Sequence, residues 1–518
     1  MGKKILLVTA ELAEKLVRRY AAESTIASDV KVLPLSVASF MTSELLINEL
    51  KKIKLNNLSM LLVPGLVRFD LKRVEKELGI PTFKGPKYAA DIPIVLDNLD
   101  KIELSKEKPA CELLNSEIKA SIKKQLKMAE KAAKKRLSEP HNFLIGKGKA
   151  AVPAGRDFPP RVIGEIADAP LLSDEKIIEV AKRYLESGAE IIDIGMLAGR
   201  EMVDEVPRLV STLRDNFDVP ISIDTLNKAE IKKAIECEID LILSINGATI
   251  DEFENLEVPA VLVPLDPKRG HYPRAPREKV EYLMKLVKKS GKLGYKRVIA
   301  DPILEPVNRG FVESLLSFYE LRGLDPELPI LMGIGNVIEL YDADSVGMTA
   351  LLVGAASELG ASFVLTVEAS DKTQGNVAEV RKTREMMTIS RLRSTVPKDL
   401  GLDLLILKEK RKVFDLYDKN VEKVARTIHA SAKRKFKLDQ KGFFKIFVDK
   451  SEIVAILYAG RDPKIVIRGK TAEEICDEII ERGLISDIEH AAYVGRELQK
   501  AEIALRTGRS YLQEKELF

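Results

Sequence analysis

A short apolar strand that ends on a carboxylate recurs in the middle of this chain. In the copy Gly188-Ala-Glu-Ile-Ile-Asp-Ile-Gly195, a small turn feeds an apolar run that ends on Asp193. The next copy, Val219-Pro-Ile-Ser-Ile-Asp-Thr225, has the same design and ends on Asp224. Buried strands that end on polar residues and alternate with helices are typical of a (β/α) barrel whose chemistry lies at one rim.

Eight such strands can be counted, and segments with helical spacing lie between most of them. The expected fold is therefore α/β, with a central (β/α)8 TIM barrel over residues 155–395. A small doubly wound α/β domain is expected before it, at residues 1–150, and an α+β module after it, at residues 396–518. The predicted barrel strands are 161–166, 190–194, 220–223, 241–245, 260–263, 297–300, 329–332 and 362–367.

The first 150 residues show the rhythm of a parallel sheet of the Rossmann-like or flavodoxin-like type. Predicted strands at 5–9, 30–33 and 60–63 alternate with helical segments, and no GxGxxG follows the first strand. A dinucleotide site is therefore not expected. A structural appendage is favoured over a domain that docks or caps. The lysine-rich residues 117–137 predict a solvated linker helix rather than a nucleic-acid patch.

The last part of the chain combines short strands with two helices. Strands are predicted at 402–407, 442–448, 453–458 and 464–468, the second and third as a hairpin. The predicted helices cover 472–481 and 488–507.

Composition excludes several classes of function. Both signs of charge are abundant and the net charge is only +4, which gives no support for nucleic-acid binding. Three cysteines far apart in sequence predict no disulfide framework and no metal site, and they favour the cytoplasm. The sequence predicts neither a membrane span nor a signal peptide, because its apolar runs are too short.

The polar residues at the predicted strand ends are mostly acids and amides. A rim of this kind suits a ligand with several N–H donors, such as a heterocycle with an amino group and a lactam, rather than a bare phosphate. A buried carboxylate accepts two such donors at once, in bonds stronger than neutral ones. These residues are Glu165, Asp193, Asp224, Asn246, Asp266, Asp301, Asn336 and Glu368.

Four motifs across the barrel resemble those of the pterin-binding superfamily, which contains dihydropteroate synthase and the methyltetrahydrofolate–corrinoid methyltransferases. They are residues 188–195, 220–225, 244–247 and 300–307. In that superfamily, aspartates at these strand ends hold the pterin's 2-amino and ring N–H groups. The resemblance implies a site for a reduced pterin, of tetrahydromethanopterin or tetrahydrofolate type, formed by Glu165, Asp193, Asp224, Asn246, Asp301 and Asn336.

The seventh strand separates the two branches of this superfamily. Dihydropteroate synthases typically carry Ser-Arg-Lys there, with a late Arg-x-His, whereas this chain has Gly333-Ile-Gly-Asn-Val337. That stretch is similar to the methyltransferase motif, in which the asparagine touches N5 of the pterin. The resemblance implies that Asn336 and Asp301 take part in catalysis. A methylated N5 becomes a good leaving group only when a proton or hydrogen bond stabilises it as the bond breaks.

Two loops at the predicted rim carry basic residues. Lys268 and Arg269 follow the fifth strand, and Lys372 follows the eighth. They are candidates for holding a phosphate or an acidic pterin tail. A solvated loop is an equally good interpretation of the first two.

The C-terminal stretch from His490 to Gly508, together with Gly442-Phe-Phe, resembles a module found on archaeal dihydropteroate-synthase-related proteins. It is also distantly similar to the corrinoid-carrying subunit of a tetrahydromethanopterin methyltransferase. The resemblance makes His490 a candidate corrinoid ligand, although the Asp-x-His-x-x-Gly corrinoid motif is absent from the sequence. The favoured alternative is a histidine that makes a structural hydrogen bond at a helix start.

The leading hypothesis is a transferase of one-carbon metabolism that moves a methyl group between a reduced pterin and a corrinoid. An alternative is condensation of a pterin diphosphate with an arylamine, as in tetrahydromethanopterin biosynthesis. A non-catalytic pterin or corrinoid carrier is a third possibility. The expected partners are a small-molecule pterin, a corrinoid protein and a second copy of the chain in a homodimer.

Overall fold

The computed structural model describes residues 4–55, 57–398, 400–407, 421–426, 428–430 and 438–517. Within them the chain divides into two compact units, Met1–Leu404 and Leu405–Phe518. The first unit contains an N-terminal sheet and a barrel, and the second contains the C-terminal module.

The N-terminal sheet is parallel and doubly wound, as the sequence predicts. Its elements are β1 Lys4–Ala10, α1 Glu14–Ala21, β2 Ser28–Leu33, α2 Ser43–Leu50, β3 Leu58–Val63, α3 Leu71–Leu78, β4 Thr82–Lys84 and α4 Ile92–Leu96. The strand order is β2-β1-β3-β4. Alternate residues of β1 face opposite sides of the sheet: Leu6 packs against α2 and α3, whereas Leu7 packs against α1 and α4.

Helix α5, Asn115–Lys134, and a hairpin of β5, Asn142–Ile145, and β6, Val152–Gly155, lead into the barrel. The apolar side of α5 packs against the last barrel helix through Ile118 and Ile122, which lie in one cluster with Ile389. The helix is therefore only partly solvated. The lysines leave a continuous apolar stripe free for this packing.

Residues 161–393 are all described, and they form a barrel of eight parallel strands in sequential order. A bridge between Ala300 and Ile330 joins the last open pair of strands. The strands are β7 Arg161–Ile166, β8 Ile191–Gly195, β9 Ile221–Asp224, β10 Leu241–Ile245, β11 Ala260–Leu262, β12 Val298–Ala300, β13 Leu331–Gly333 and β14 Phe363–Val367. The helices are α6 Asp174–Ser187, α7 Val206–Asn216, α8 Lys228–Glu236, α9 Pro276–Lys292, α10 Phe311–Leu324, α11 Gly335–Ile338, α12 Ser345–Glu358 and α13 Asn376–Arg393.

Two apolar shells hold the barrel together. Alternate strand residues such as Val162 and Ile192 pack outward against the helices. Their neighbours Ile163 and Ile191 pack inward, in a cluster that also contains Phe143 and Ile145 of β5. The hairpin therefore fills the amino-terminal end of the barrel interior, and the predicted TIM barrel is confirmed.

The C-terminal unit is an antiparallel sheet packed against two helices. Ile446 of the first strand, Ile475 and Leu498 share its core. The strand predicted at 402–407 is wrong: these residues pair with no strand of the described chain, and Leu405, Ile406 and Leu407 are exposed. The elements are α14 Val421–Val424, β15 Phe443–Asp449, β16 Glu452–Ala459, β17 Asp462–Gly469, α15 Ala472–Glu481 and α16 Ile488–Thr507.

Candidate functional site

Strand register gathers three carboxylates at the carboxyl-terminal end of the barrel. Glu165 of β7 lies opposite Asp193 of β8. Asp224, the last residue of β9, lies opposite Gly195 of β8. One oxygen from each carboxylate lies within 4.8 Å of the others. We call Glu165, Asp193 and Asp224 the acid cluster.

Asp193 is the innermost member of the acid cluster, with no solvent-exposed surface. Its Oδ1 accepts a hydrogen bond from the hydroxyl of Ser222, the residue opposite it in β9. Its Oδ2 has no hydrogen-bond partner among the described residues. Burial, and then the charges of Asp224 and Glu165, raise the pKa of Asp193 well above its ordinary value.

Glu165 reaches the acid cluster because the facing strand ends on a glycine. A Cβ placed on Gly195 would lie 2.6 Å from Oε1 of Glu165, which is closer than real contacts allow. Burial is the main cause that raises the pKa of Glu165 to about 8, and the negative charge of Asp224 adds to it.

Asp301 follows β12 and extends this negative region. Burial, with the charge of Asp301 as a smaller cause, raises the pKa of Asp224 to about 7. Burial also raises the pKa of Asp301 to about 7, although the Ile303 N–H and the charge of Lys279 oppose the shift. Both carboxyls can therefore exchange protons near neutral pH.

The loop that carries Asp301 contains a strained residue, Ile303, and the side chain of Lys279 supports the loop. Oδ1 of Asp301 accepts the Ile303 N–H at 2.7 Å, and Ile303 has a φ of +65°, which a β-branched residue rarely adopts. The buried ammonium of Lys279, on α9, donates to the Ile303 carbonyl at 3.3 Å and to Glu305 at 3.2 Å. Such strain persists only where surrounding contacts hold it, and Lys279 supplies them.

Lys279 was not among the residues predicted for the site. The signal for it is its spacing, because it stands four and seven residues before Leu283 and Leu286, which are both buried on the same face of α9. A lysine on an apolar helix face is rarely buried unless it is paired.

The two asparagines both lie at this end of the barrel, in different surroundings. Asn246, directly after β10, is buried, and its Oδ1 accepts the Ala248 N–H at 2.8 Å. Asn336 is exposed on the short helix α11, and its Nδ2 donates to the Leu304 carbonyl at 3.1 Å. The loop that carries Asp301 therefore also holds the side chain of Asn336.

The predicted basic residues lie in loops on the same side of the barrel. Lys268 and Arg269 are exposed in a turn after β11, and the guanidinium of Arg269 lies 3.6 Å from Asp266. Lys372, after β14, donates to the Tyr341 carbonyl at 2.6 Å and so joins two loops. Their role toward a phosphate or acidic tail stays a prediction.

Glu339 was also not predicted, and it orders the loop after β14. It accepts hydrogen bonds from the Ala369 N–H and from the hydroxyls of Ser370 and Thr373. Its negative charge contributes to the raised pKa of Glu165.

His490 lies in the C-terminal unit at the start of α16. It is buried, and its Nδ1 lies 3.1 Å from Oδ2 of Asp439. The same oxygen accepts the N–H groups of Ser486 and Asp487, each at 2.9 Å. These contacts fit the structural alternative for His490, and a corrinoid-ligand role stays a prediction.

Three families match separate parts of this chain. The family described as pterin binding enzyme matches residues 166–337, which contain the acid cluster's Asp193 and Asp224. Residues 438–514 match the family called PterinBD-DUF4346. Residues 3–87 match a family of unknown function, DUF6513.

One relative aligns with the whole chain, and others align with short parts of it. An uncharacterized protein of Methanocaldococcus jannaschii is 39% identical over 536 aligned residues, which cover 99% of each chain. The dihydropteroate synthase of Synechocystis is 34% identical over 83 residues, 14% of this chain and 29% of its own length. This chain belongs to the family of dihydropteroate-synthase-related proteins with a pterin-binding TIM barrel. Within that family it aligns from end to end with its M. jannaschii relative.

Solved dihydropteroate synthases are similar to about half of the chain. That of Yersinia pestis aligns with 48% of this chain and 100% of its own, at 19% identity and a TM-score of 0.39. That of Xanthomonas albilineans aligns with 48% of this chain and 96% of its own, at 21% identity and a TM-score of 0.37.

Helices able to cross a membrane were sought among the described residues, and none is both long and apolar enough.

Proposed function

We propose that this chain is a transferase that binds a reduced pterin at the acid cluster, Asp301 and the two asparagines, and passes a methyl group between that pterin and a corrinoid. The observation that carries the proposal is Asn336. Asn336 lies in the stretch where dihydropteroate synthases typically carry Ser-Arg-Lys. Its side-chain amide donates a hydrogen bond to the Leu304 carbonyl, in the loop that carries Asp301.

Pterin binding is supported by the match between the site and the ligand's donors. A pterin presents an amino group and a lactam N–H on one edge, and a carboxylate accepts both. Asp301 and Asp224 lie at strand ends and carry pKa values of about 7, so they are ionised above neutral pH. Asn246 has its amide oxygen engaged by Ala248, which leaves its Nδ2 donors for a ring nitrogen.

Methyl transfer requires the N5–CH3 bond to break with its electron pair left on N5. A corrinoid in its reduced state would accept the methyl group, and N5 would take up one proton. The amide of Asn336 can donate a hydrogen bond to N5 as charge develops there, at the cost of its bond to Leu304. Solvent can supply that proton, because Asp224 and Asp301 hold the pterin as ionised carboxylates.

A spectral titration tests this reaction. Full-length protein is mixed with N5-methylated tetrahydropterin and cob(I)amide, and the loss of the cob(I)amide absorption is followed. We expect turnover in the wild type and a loss of about 10²–10³-fold in Asn336→Ala, the range for one stabilising donor. No methyl transfer by the wild type would exclude the reaction.

The matched amide control for this titration is Asn308→Gly. Asn308 is exposed in the loop that follows Asp301, so its side chain can be removed without disturbing the buried site. Its φ of +64° is one that glycine adopts without strain. We expect this variant to turn over at the wild-type rate, and an equal loss in both variants would mean that Asn336 has no special role.

Condensation of a pterin diphosphate with an arylamine is the second candidate, because dihydropteroate synthases are among the relatives. The exposed Lys268 and Arg269 and the partly buried Lys372 are the basic residues available to a diphosphate. An assay of diphosphate release with an arylamine present separates the two reactions. Tight pterin binding with no turnover in either assay would identify a carrier.

A homodimer is the expected assembly, and two barrel helices support it. Helix α10 exposes Leu316 and Tyr319, and α12 exposes Leu351. Surface helices of a barrel ordinarily present charged residues on that side. Sedimentation at micromolar concentration would show a dimer for the wild type and a monomer for Leu351→Glu with Tyr319→Glu.

A further inference from the structure

We propose that a cluster of arginines at the amino-terminal end of the barrel binds a phosphate group, either free or on a small metabolite. The arginine cluster consists of Arg156, Arg322 and Arg391. Arg156 follows β6, and the other two lie in the last turns of α10 and α13. Barrel helices run back toward the amino-terminal ends of the strands. The arginine cluster is therefore at the opposite end of the barrel from the acid cluster.

Two guanidinium groups of the arginine cluster contact the turn that ends α12. Arg322 donates to the carbonyls of Leu359 and Gly360, at 2.9 and 3.1 Å. Arg391 donates to the carbonyl of Ser357 at 2.6 Å and to its hydroxyl at 2.8 Å. Side chains from two different helices therefore meet at this turn.

Arg156 reaches the same turn from the hairpin of β5 and β6. Its Nε donates to the Pro326 carbonyl at 3.0 Å, and Arg322 donates to the same oxygen at 2.7 Å. A Cβ placed on Gly360 would clash with a terminal nitrogen of Arg156, so the glycine leaves space for this guanidinium. Burial, and then the charge of Arg156, lower the pKa of Arg322 to about 10 and also lower the pKa of Arg391. All three remain charged at neutral pH and repel one another.

Protein carboxylates do not balance this positive charge within the described part of the chain. Among the described residues, none of the three arginines forms an ion pair with an aspartate or glutamate. The two acids nearest in sequence to Arg322 have other partners. Glu327 lies 2.6 Å from Nδ1 of His141, and Asp325 accepts backbone N–H groups of its own turn at 3.0 Å. Partly buried charges are ordinarily paired, so this cluster lacks a counter-charge.

A cavity of about 390 Å³ opens beside these guanidinium groups. Both Nη groups of Arg156, and the Nε and one Nη of Arg391, have no hydrogen-bond partner among the described residues. The cavity therefore offers several unsatisfied N–H donors, which suit an oxyanion. Its lining residues are Arg156, Ser357, Glu358, Met387, Ser390 and Arg391.

Charge and geometry specify the class of oxyanion. Three arginines and one glutamate leave two positive charges at this cavity, and a phosphate group carries about −1.5 to −2 at neutral pH. Guanidinium groups bind phosphate oxygens through two parallel N–H donors, which adds geometric specificity. A single carboxylate would neutralise only one of the two charges. A phosphate dianion therefore fits this cavity better than a carboxylate does.

This site does not depend on the proposed pterin chemistry. It shares no residue with the acid cluster, Asp301 or the two asparagines. Phosphate binding and pterin binding can therefore fail separately. The basic residues of the barrel mouth, Lys268, Arg269 and Lys372, lie at the other end, so phosphate bound there would not respond to substitutions in the arginine cluster.

The experiment is a calorimetric titration of the full-length protein with inorganic phosphate at neutral pH and low ionic strength. We expect one site per chain in the wild type, with a Kd below about 1 mM. Arg391→Gln should weaken binding by about tenfold or more, because it removes charged hydrogen-bond donors. Arg156→Gln is a second variant with the same expectation, in case the first impairs the end of α12. Arg461→Gln, exposed in the turn between β16 and β17, is the matched control and should bind as the wild type does.

Glu358 offers a substitution with the opposite expected sign. Its exposed carboxylate lines the cavity and repels an oxyanion. Glu358→Gln should therefore bind phosphate more tightly, by roughly two- to fivefold. A parallel titration with glycerol 3-phosphate distinguishes the two sources of the phosphate group. Tighter binding than that of inorganic phosphate would identify a phosphate monoester as the ligand, and equal or weaker binding would identify free phosphate.

Circular dichroism establishes that each variant is folded before it is titrated. Absence of a phosphate site tighter than about 1 mM in the wild type would overturn the proposal. So would folded Arg391→Gln and Arg156→Gln that bind phosphate with wild-type affinity, or an equal loss in Arg461→Gln. Sedimentation of the same proteins tests the other occupant. Loss of self-association in Arg391→Gln with unchanged phosphate affinity would identify a carboxylate of a second copy in the cavity, and it would also overturn the proposal.

Discussion

The carboxyl ends of parallel strands meet at an edge twice in this chain, and the two edges carry different side chains. At the barrel edge, Glu165, Asp193, Asp224 and Asp301 form a continuous acidic region. At the edge of the N-terminal sheet, a cavity of about 90 Å³ is lined mostly by apolar and backbone groups, including those of residues 63–64 and 85–86.

The two edges share an architecture but differ in the chemistry of their side chains. Both sheets are parallel and both bury apolar strands under helices, so both offer the edge at which such folds bind ligands. Only the barrel, of these two described sheets, places a cluster of carboxyl groups there and raises their pKa values through burial. We expect the barrel edge to be functional and the N-terminal edge to contribute to structure, and four experiments test that contrast.

The largest expected effect is on Asp301. Asp301→Ala removes a carboxylate that would accept two N–H donors, and we expect a loss of about 2–4 kcal/mol of pterin binding free energy. Calorimetry with a reduced pterin measures it, and Asp371→Ala is the control. Equal pterin affinities for the wild type and Asp301→Ala would exclude the carboxyl-terminal end of the barrel as the pterin site.

A smaller effect is expected at Gly195. The methyl group of Gly195→Ala would lie 2.6 Å from Glu165, so the side chain or the strand must shift, and we expect a loss of about 1–3 kcal/mol in unfolding free energy. Urea denaturation measures this. Gly354→Ala on α12 is the matched control, because its Cβ meets nothing within 4 Å and a helical alanine is favourable. A Gly195→Ala protein as stable as the wild type would show that Glu165 is free to move.

Pterin affinity should depend on pH through Asp301 and Asp224. Burial raises both pKa values to about 7, so both groups are ionised and able to accept N–H donors above pH 7. Affinity should be constant above about pH 8 and fall as pH drops through 7, by about 1.4 kcal/mol for each unit and each group protonated. Calorimetry between pH 6 and 9 checks this, and constant affinity over that range would contradict it.

The smallest effect is expected at the N-terminal edge. Phe40 is exposed after the end of β2, and Phe40→Ser should change stability by no more than about 0.5 kcal/mol. Pterin affinity should be unchanged. A loss of pterin affinity in Phe40→Ser would show that both edges contribute to pterin binding, and it would contradict the contrast between them.

The sequence predicts the barrel well because its signal is local. Each strand is a short apolar run between turns, and all eight predicted strands are present in the structure. Strand β4 and the hairpin of β5 and β6 were not predicted, since they are short and lie in segments rich in glycine and proline. The strand predicted at 402–407 is absent because an apolar run produces the sequence pattern of a strand even when no partner strand is available to pair with it.

Only the part of the site that depends on local sequence can be predicted. The strand-end acids can be read from sequence, but the convergence of Glu165, Asp193 and Asp224 depends on register and on the space left by Gly195. The support of the Asp301 loop by Lys279 links two elements that are separate in sequence. Tertiary contacts of this kind leave no mark in the local pattern.

The hairpin of β5 and β6 affects how ligands reach the site. Phe143 and Ile145 join the side chains that fill the barrel interior, so within the described chain ligands reach the site from the carboxyl-terminal end. Two reactants that share this single opening cannot pass each other, and the one seated deeper has to arrive first and depart last. Kinetics with two substrates should therefore follow a compulsory order, with the inner ligand as the leading one.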